Sequence, residues 1–326
     1  MKICNVCESS HCEFLGDLKP YQDMDWHFEI FGCSACGSRF ALRDPKINYY
    51  EILHTTLGSS YTYHYDIATR VKDYLETGRL DQCEHYLRKA SYKYGEVIDF
   101  VAKKNKPLSI LEIGCSTGFM TAFFRARGHE AEGIDISETA LCYATSSFGS
   151  FFSLRPLRES YDLIFHLGLI GCVDHPKRFL SESLRRLKSR GEMIFNAPNV
   201  KSPEQFDELW VSTPPPDLVC LFHEKSFPIM LDQAFGAEVR KVYPKGEIIQ
   251  KNLKGIFGKK YTNYPLPFKR DLDQPDQRIV NVIKRGLKRV IWSSCGLLVD
   301  LHIFKKYESE YGLIVTIHRR ETGEHD

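Results

Sequence analysis

The chain contains no run of about 18 uninterrupted apolar residues, the length a membrane-spanning helix needs, so no such helix is expected. Its first residues, Met-Lys-Ile-Cys-Asn-Val-Cys, hold no apolar stretch of signal-peptide length either. Charge of one sign is equally lacking. The 44 lysines and arginines face 42 aspartates and glutamates, a formal net charge of +2, and this excludes a polycation built as a whole for nucleic acid. Eleven cysteines without an export signal point to reduced thiols and a cytoplasmic setting. The 326 residues, 43% apolar and 13% aromatic, suffice for one large α/β domain with a genuine core plus an accessory module.

Among the features that are present, two cysteine pairs come first. Cys4-x-x-Cys7 and Cys33-x-x-Cys36 each place two thiols on one tight knuckle, and two knuckles complete a tetrahedral four-sulfur site of the kind structural zinc prefers. Two disulfides or free thiols are the alternative. His11 and Cys12 lie nearby as stand-in ligands and read better as bystanders. Four protein ligands leave no open position, so a zinc here would hold the fold. A module this small, residues 1–45, would bury too little surface to fold well without such a clip.

Near the middle of the chain, Ile110, Leu111 and Ile113 read as a buried parallel strand running into a turn, Glu112-Ile-Gly-Cys-Ser-Thr-Gly118. Gly114 and Gly118 allow a sharp bend and close approach of the backbone to a ligand. Phe119 to Arg127 reads as a helix whose N-terminus faces that ligand. A second strand ends in Asp135, followed by Ile136. There a carboxylate can accept two ribose hydroxyls. Glu112 sits where a phosphate-binding turn carries no acid. It would repel a pyrophosphate and favour a cation, and the sulfonium and amino group of S-adenosylmethionine meet that description.

The stretch resembles motif I of the class I S-adenosylmethionine-dependent methyltransferases, roughly E/D-x-G-x-G-x-G, with Glu112, Gly114 and Gly118 matching and Ser116 in place of the middle glycine. The spacing of the following pieces resembles the same family over residues 108–200. Ser137 would cap a helix, Phe151 and Phe152 would enter a third strand, Tyr161–Phe165 a fourth, Pro176–Leu187 a helix and Gly191–Asn199 a turn and fifth strand. After the fourth strand this group often reads V-L-E-H-V-x-x-P. Here Gly171 and Cys172 replace the acid and histidine, which argues against metal-assisted chemistry. Ala237–Tyr243 and Tyr311–His318 would be strands six and seven, an antiparallel pair. The resemblance thus implies a Rossmann-like seven-stranded α/β sheet, S-adenosylmethionine as cofactor, and cofactor contacts at Glu112, Gly114, Ser116, Gly118, Phe119, Asp135, Ile136 and His166.

Residues 46–107 read as a tyrosine-rich helical cap, with helical periodicity from Glu84 to Lys103. In such enzymes these helices lie over the cofactor. Most of the tyrosines read as interface packing, with one or two of Tyr61 to Tyr65 lining the site. The methyltransferase domain is then 108–326, interrupted at about 246–308 by a basic insertion. Within it Ile279, Val282, Ile283, Leu287 and Val290 form a helical stripe beside Asn281, Lys284, Arg285 and Lys288. Such a helix suits an anionic membrane surface, a phosphorylated or lipid-linked substrate, or simply a solvated face on the core.

The expected reaction is in-line methyl transfer to an oxygen, nitrogen or carbon nucleophile, with alignment and exclusion of water doing much of the work. Candidate bases are His166 and His175 after the fourth strand, and Asp217 and His223 on a Pro-rich segment; His166 is the first choice. That segment, Pro214-Pro-Pro-Asp-Leu-Val-Cys-Leu-Phe222, resembles a loop of zinc-ribbon methyltransferases associated with sugars and secondary metabolites, where it leads to the substrate face. The expected acceptor is therefore a small molecule. An RNA methyltransferase is disfavoured, because no Asn/Asp-Pro-Pro-aromatic signature and no Pro-Cys follow the fourth strand. A degenerate fold serving only as a binding module is the third reading.

Overall fold

The computed structural model of the chain describes residues 2–18, 27–43, 59–200, 215–242 and 312–320. Residues Val242–Tyr311 separate as a second compact unit that lies almost wholly outside the described residues, and so does the expected basic insertion.

Two sheets make up the first unit. The larger has seven strands: β4 (Ser109–Ile113), β5 (Glu130–Ile134), β6 (Phe152–Ser153), β7 (Tyr161–His166), β8 (Leu187–Ala197), β10 (Phe235–Val242) and β11 (Gly312–Arg319), in the order β10-β11-β8-β7-β4-β5-β6. The pairs β4–β5, β4–β7, β5–β6 and β7–β8 are parallel, whereas β11 runs antiparallel to β8. The strand order turns back at β4, so the carboxyl ends of β4 and β7 open a crevice there. Strands six and seven of the expected sheet, β10 and β11, are neighbours as anticipated.

One face of this sheet carries helices α1 (Ser59–Glu76), α2 (Leu80–Ala90), α3 (Tyr92–Ala102), α4 (Phe119–Ala126) and α5 (Glu138–Phe148). The continuous helix expected from Glu84 to Lys103 is broken at Ser91. Its extended backbone (φ −155°, ψ 139°) ends α2, and its hydroxyl accepts the Lys93 N–H at the start of α3. Serine competes with helix continuation in this way, and hydrophobic periodicity alone does not register it. The tyrosines pack between helices: Tyr65 meets Tyr143 edge-on at 4.6 Å, and the Tyr63 hydroxyl donates to the Ala90 carbonyl.

The smaller sheet is β1 (Cys12–Leu18), β2 (Phe28–Cys33) and β3 (Arg39–Ala41), all antiparallel. Its fourth strand comes from the far side of the chain: β9 (Cys220–Leu221) pairs with β3 at Arg39↔Leu221 and Phe40↔Cys220. The ribbon core (Phe28, Ile30, Phe40) is continuous with Phe222, Phe227, Ile164, Met193 and Phe195. The N-terminal ribbon therefore shares a core with the large sheet. Helices α6 (Pro176–Leu184) and α7 (Ser226–Met230) lie on this side.

Strand alternation decides the fate of His166. Side chains two apart on a strand share a face. Ile164 belongs to the core on the ribbon side, and so does His166, stacked on Phe195 at 4.5 Å and edge-on to Phe179 at 5.3 Å. It is fully buried, and neither ring nitrogen has a hydrogen-bond partner among the described residues. Burial depresses its pKa from 6.5 to about 3. The expected base and cofactor contact His166 is thus placed as a neutral core residue, its ring enclosed by Phe179 and Phe195. The unfolded chain takes up a proton here below pH 6.5 while the folded chain does not. The group therefore withdraws stability as pH falls from 6.5 towards about 3. In acid-denaturation titrations, His166→Phe should flatten this loss by up to about 1.4 kcal/mol per pH unit below 6.5 relative to the parent.

Candidate functional site

The crevice is built around the turn after β4. Gly114 and Gly118 both adopt left-handed backbone (φ +73° and +79°), and a Cβ on Gly118 would stand 2.5 Å from the ring of Phe152. Ser116 is also left-handed, at φ +48°. A residue with a side chain accepts this conformation at some expense in strain, which is why the resembling motif carries glycine there. The Ser116 hydroxyl is buried without a partner among the described residues, while its N–H donates to Asp135 Oδ2 at 2.8 Å.

Two carboxylates frame this turn. Glu112 is 6% exposed and accepts from the N–H (3.0 Å) and hydroxyl of Thr121 in the first turn of α4. Burial pushes its pKa up to about 8. The Thr121 hydrogen bonds oppose that rise and the neighbouring Asp135 charge adds to it. Glu112 is therefore a brace between β4 and α4, its carboxyl held towards the neutral form by burial and able to ionise when a positive charge is brought close. Asp135, half-buried, accepts from Ser116 N with one oxygen and from Ser137 N (2.9 Å) with the other. Each oxygen keeps a lone pair for a hydroxyl donor. Ser137 in turn caps α5 through Ala140 N, as its sequence position suggested.

Other expected contacts are redistributed. Phe119 is 4% exposed, stacked on His64 and edge-on to Tyr94, so its ring belongs to the α1–α4 packing and only its main chain faces the turn. Ile136, by contrast, is 62% exposed directly after Asp135. Helix α1 closes over the turn: the Thr117 hydroxyl donates to the His64 carbonyl at 3.3 Å.

The loop after β7 forms the opposite wall. The Gly168 N–H donates to Asn196 Oδ1 at 2.7 Å, Leu169 packs against Gly114, and the Cys172 thiol lies 3.8 Å from Asp217 Oδ1. Of the remaining base candidates, Asp217 alone is set against this loop's interior, half-buried. His175 is exposed at the N-cap of α6. His223 turns to the ribbon: its ring sits over Gly37, and its N–H donates to the Ser38 hydroxyl. Sequence reasoning missed Asn196 and Arg43. Arg43 donates to Asp174, to the Cys172 carbonyl (2.6 Å) and to the Pro216 carbonyl (2.9 Å). These contacts join residues 28 to 173 positions apart, which nothing local in the sequence marks.

A second site is the cysteine cluster. Both knuckles close the same way, Glu8 N donating to Cys4 O and Gly37 N to Cys33 O, with Glu8 and Gly37 left-handed. The ligand atoms of Cys4, Cys7, Cys33 and Cys36 all lie within 4.8 Å of one another, with Cys4–Cys36 at 3.9 Å and Cys7–Cys33 at 3.7 Å. Those spacings exclude disulfides and match the sulfur–sulfur edge of about 3.8 Å in a tetrahedron with 2.3 Å zinc–sulfur bonds. His11 is held by Ser9, and Cys12 falls outside the four-sulfur group.

No curated protein sequence matches the chain. Among solved structures it is similar to a SAM-dependent methyltransferase from Archaeoglobus fulgidus (14% identity, 70% of this chain and 92% of that one, TM-score 0.44). It is also similar to the plantazolicin methyltransferase BpumL in complex with SAH (14%, 79% and 100%, 0.39) and to coclaurine N-methyltransferase bound to N-methylheliamine and SAH (10%, 79% and 95%, 0.41). Residues 86–242 match the family model described as a methyltransferase domain. The strand order of its large sheet agrees with that match, and over these residues the chain is similar to a methyltransferase domain.

Proposed function

We propose that the chain methylates a small molecule, a sugar, glycan precursor or secondary metabolite, using S-adenosylmethionine, and that a structural zinc holds its ribbon. The observation that carries the reading is the turn after β4, where two carboxylates flank a left-handed main chain with an unsatisfied serine hydroxyl. An acid-framed turn opposes phosphate and suits a cation. A Glu112 carboxyl held near neutral pKa by burial gains most from a positive charge brought close.

In this reading Asp135 receives the ribose hydroxyls on its free lone pairs, Ser116 offers its hydroxyl, Gly114 lets the main chain approach, and exposed Ile136 covers the adenine. S-adenosylmethionine supplies an electrophilic methyl group. Helix α1 and its tyrosines exclude water above the turn. Asp217, on the wall formed by the loop after β7, takes the acceptor's proton on its carboxylate. The four cysteines hold zinc and take no part in the chemistry.

Calorimetry should give binding of S-adenosylhomocysteine to the full chain. Asp135→Ala should weaken it by roughly 1–3 kcal/mol, a factor of about 5 to 150; equal affinity would remove Asp135 from the ribose site, and no binding by the folded parent would remove the cofactor assignment. Asp217→Asn should lower turnover about 10²- to 10⁴-fold at unchanged cofactor affinity, measured as S-adenosylhomocysteine released across a panel of hydroxylated and amine acceptors. Zinc analysis should find one ion per chain. Stripping it with a strong chelator should lower Tm, and a metal-free protein of the same Tm would refute the structural role.

A further inference from the structure

Arg43 follows β3 in the ribbon, yet its guanidinium ends on the loops that wall the crevice. Its side chain is 10% exposed. One nitrogen donates to Asp174 Oδ2 at 3.2 Å, and another donates to the carbonyls of Cys172 and Pro216, at 2.6 and 2.9 Å. The first two belong to the loop after β7, and Pro216 directly precedes Asp217. The same two segments touch through Val219 N, which donates to the Gly171 carbonyl. Cys172 N closes its own turn on Leu169 O. Gly171 has no room for a Cβ, which would stand 2.4 Å from Leu218 and 2.8 Å from Pro198. On the ribbon side, Ala41 N donates to Val219 O and Leu42 N to Glu29 O, so the main chain leading into Arg43 is fixed between β9 and β2.

A planar fork spreads its donors over separate nitrogens in a fixed geometry and so spans two carbonyls and a carboxylate on different segments, whereas a lysine gathers its three donors on one nitrogen. We infer that Arg43 is a positioning residue through which the ribbon sets the acceptor wall, holding the loop 168–174 and the segment 216–219 in register so that Asp217 faces the methyl acceptor. This rests on the reading of that wall as the acceptor side. It gives the ribbon a part in the site beyond holding its own fold: Leu169 of the clasped loop packs on Gly114, so the clasp also connects the ribbon to the cofactor turn.

The test is hydrogen–deuterium exchange on the full chain, with and without S-adenosylhomocysteine. Arg43→Ala should speed exchange at the amides of Cys172 and Val219 by about tenfold or more, while those of β4 stay protected. In the parent, bound S-adenosylhomocysteine should slow the Cys172 amide further. In Arg43→Ala that slowing should vanish while calorimetric affinity stays within about twofold. Arg43→Lys, which keeps the charge beside Asp174, should recover part of the protection. Unchanged exchange at Cys172 and Val219 in Arg43→Ala overturns the inference, and so does a cofactor-dependent slowing that survives the substitution. Should Arg43→Ala loosen the whole sheet, Arg43→Lys decides: opening confined to the two loops supports the clasp, and none refutes it. Failure of the parent to bind S-adenosylhomocysteine would count against the proposed function, and the exchange at the two loops would still report on the clasp.

Discussion

A carboxylate buried under the first turn of a helix organises this molecule's crevice. Glu112 projects from β4 onto Thr121, and its hydrogen bonds fix where α4 begins relative to the strand. Once that distance is set, the five residues between must turn back on themselves, with Gly114, Ser116 and Gly118 all left-handed. The turn then presents its main chain to the crevice and its Ser116 N–H to Asp135. The second carboxylate therefore depends on the first for its partner. Burying an acid is costly unless it is hydrogen-bonded, and Glu112 remains strained towards its neutral form even with Thr121 in place. A fold that needed only a βα turn would have no use for a buried acid here. Under the proposed function its place is intelligible as the preparation of a site for a cation.

The ribbon depends on the large sheet in turn. Three short strands and two knuckles leave Phe40 and Ile30 with too little to pack against. The structure completes them with β9 and with the aromatic group of Phe195, Phe222 and Phe227. The shared core answers that shortage, and it ties the N-terminal segment to the segment that carries Asp217.

The seven-stranded sheet was legible because its signals are local: apolar runs of strand length, glycines at the turn, an acid at the end of the second strand, serine before a helix. The cysteine pairs were legible for the same reason, since spacing within each knuckle dictates its geometry. What escaped was set by contacts across the chain. The pairing of β9 with β3 joins residues some 180 positions apart, Arg43 reaches partners 129 to 173 positions away, and the break at Ser91 is a contest between a hydroxyl and helix continuation. Phe119 was placed at the ligand by motif position, but its ring followed the apolar face of α4 into the helical layer.

His166 shows how a motif position and a strand's geometry can disagree. It stands at the carboxyl end of β7, where catalytic groups of such sheets gather, and sequence proximity made it the first choice. Alternation overrides proximity, because moving one residue along a strand exchanges faces. Leu163 and Phe165 point to the helical layer, whereas Ile164 and His166 point to the ribbon side, and there Phe179 and Phe195 close around the imidazole. A base must reach solvent or substrate in both protonation states, and a ring that loses its proton affinity to burial cannot. Asp217, the proposed base, comes from outside the sheet, on a segment that pairs with the ribbon through β9. In this molecule, then, the position of the proposed base is a property of how two sheets are joined rather than of either sheet alone.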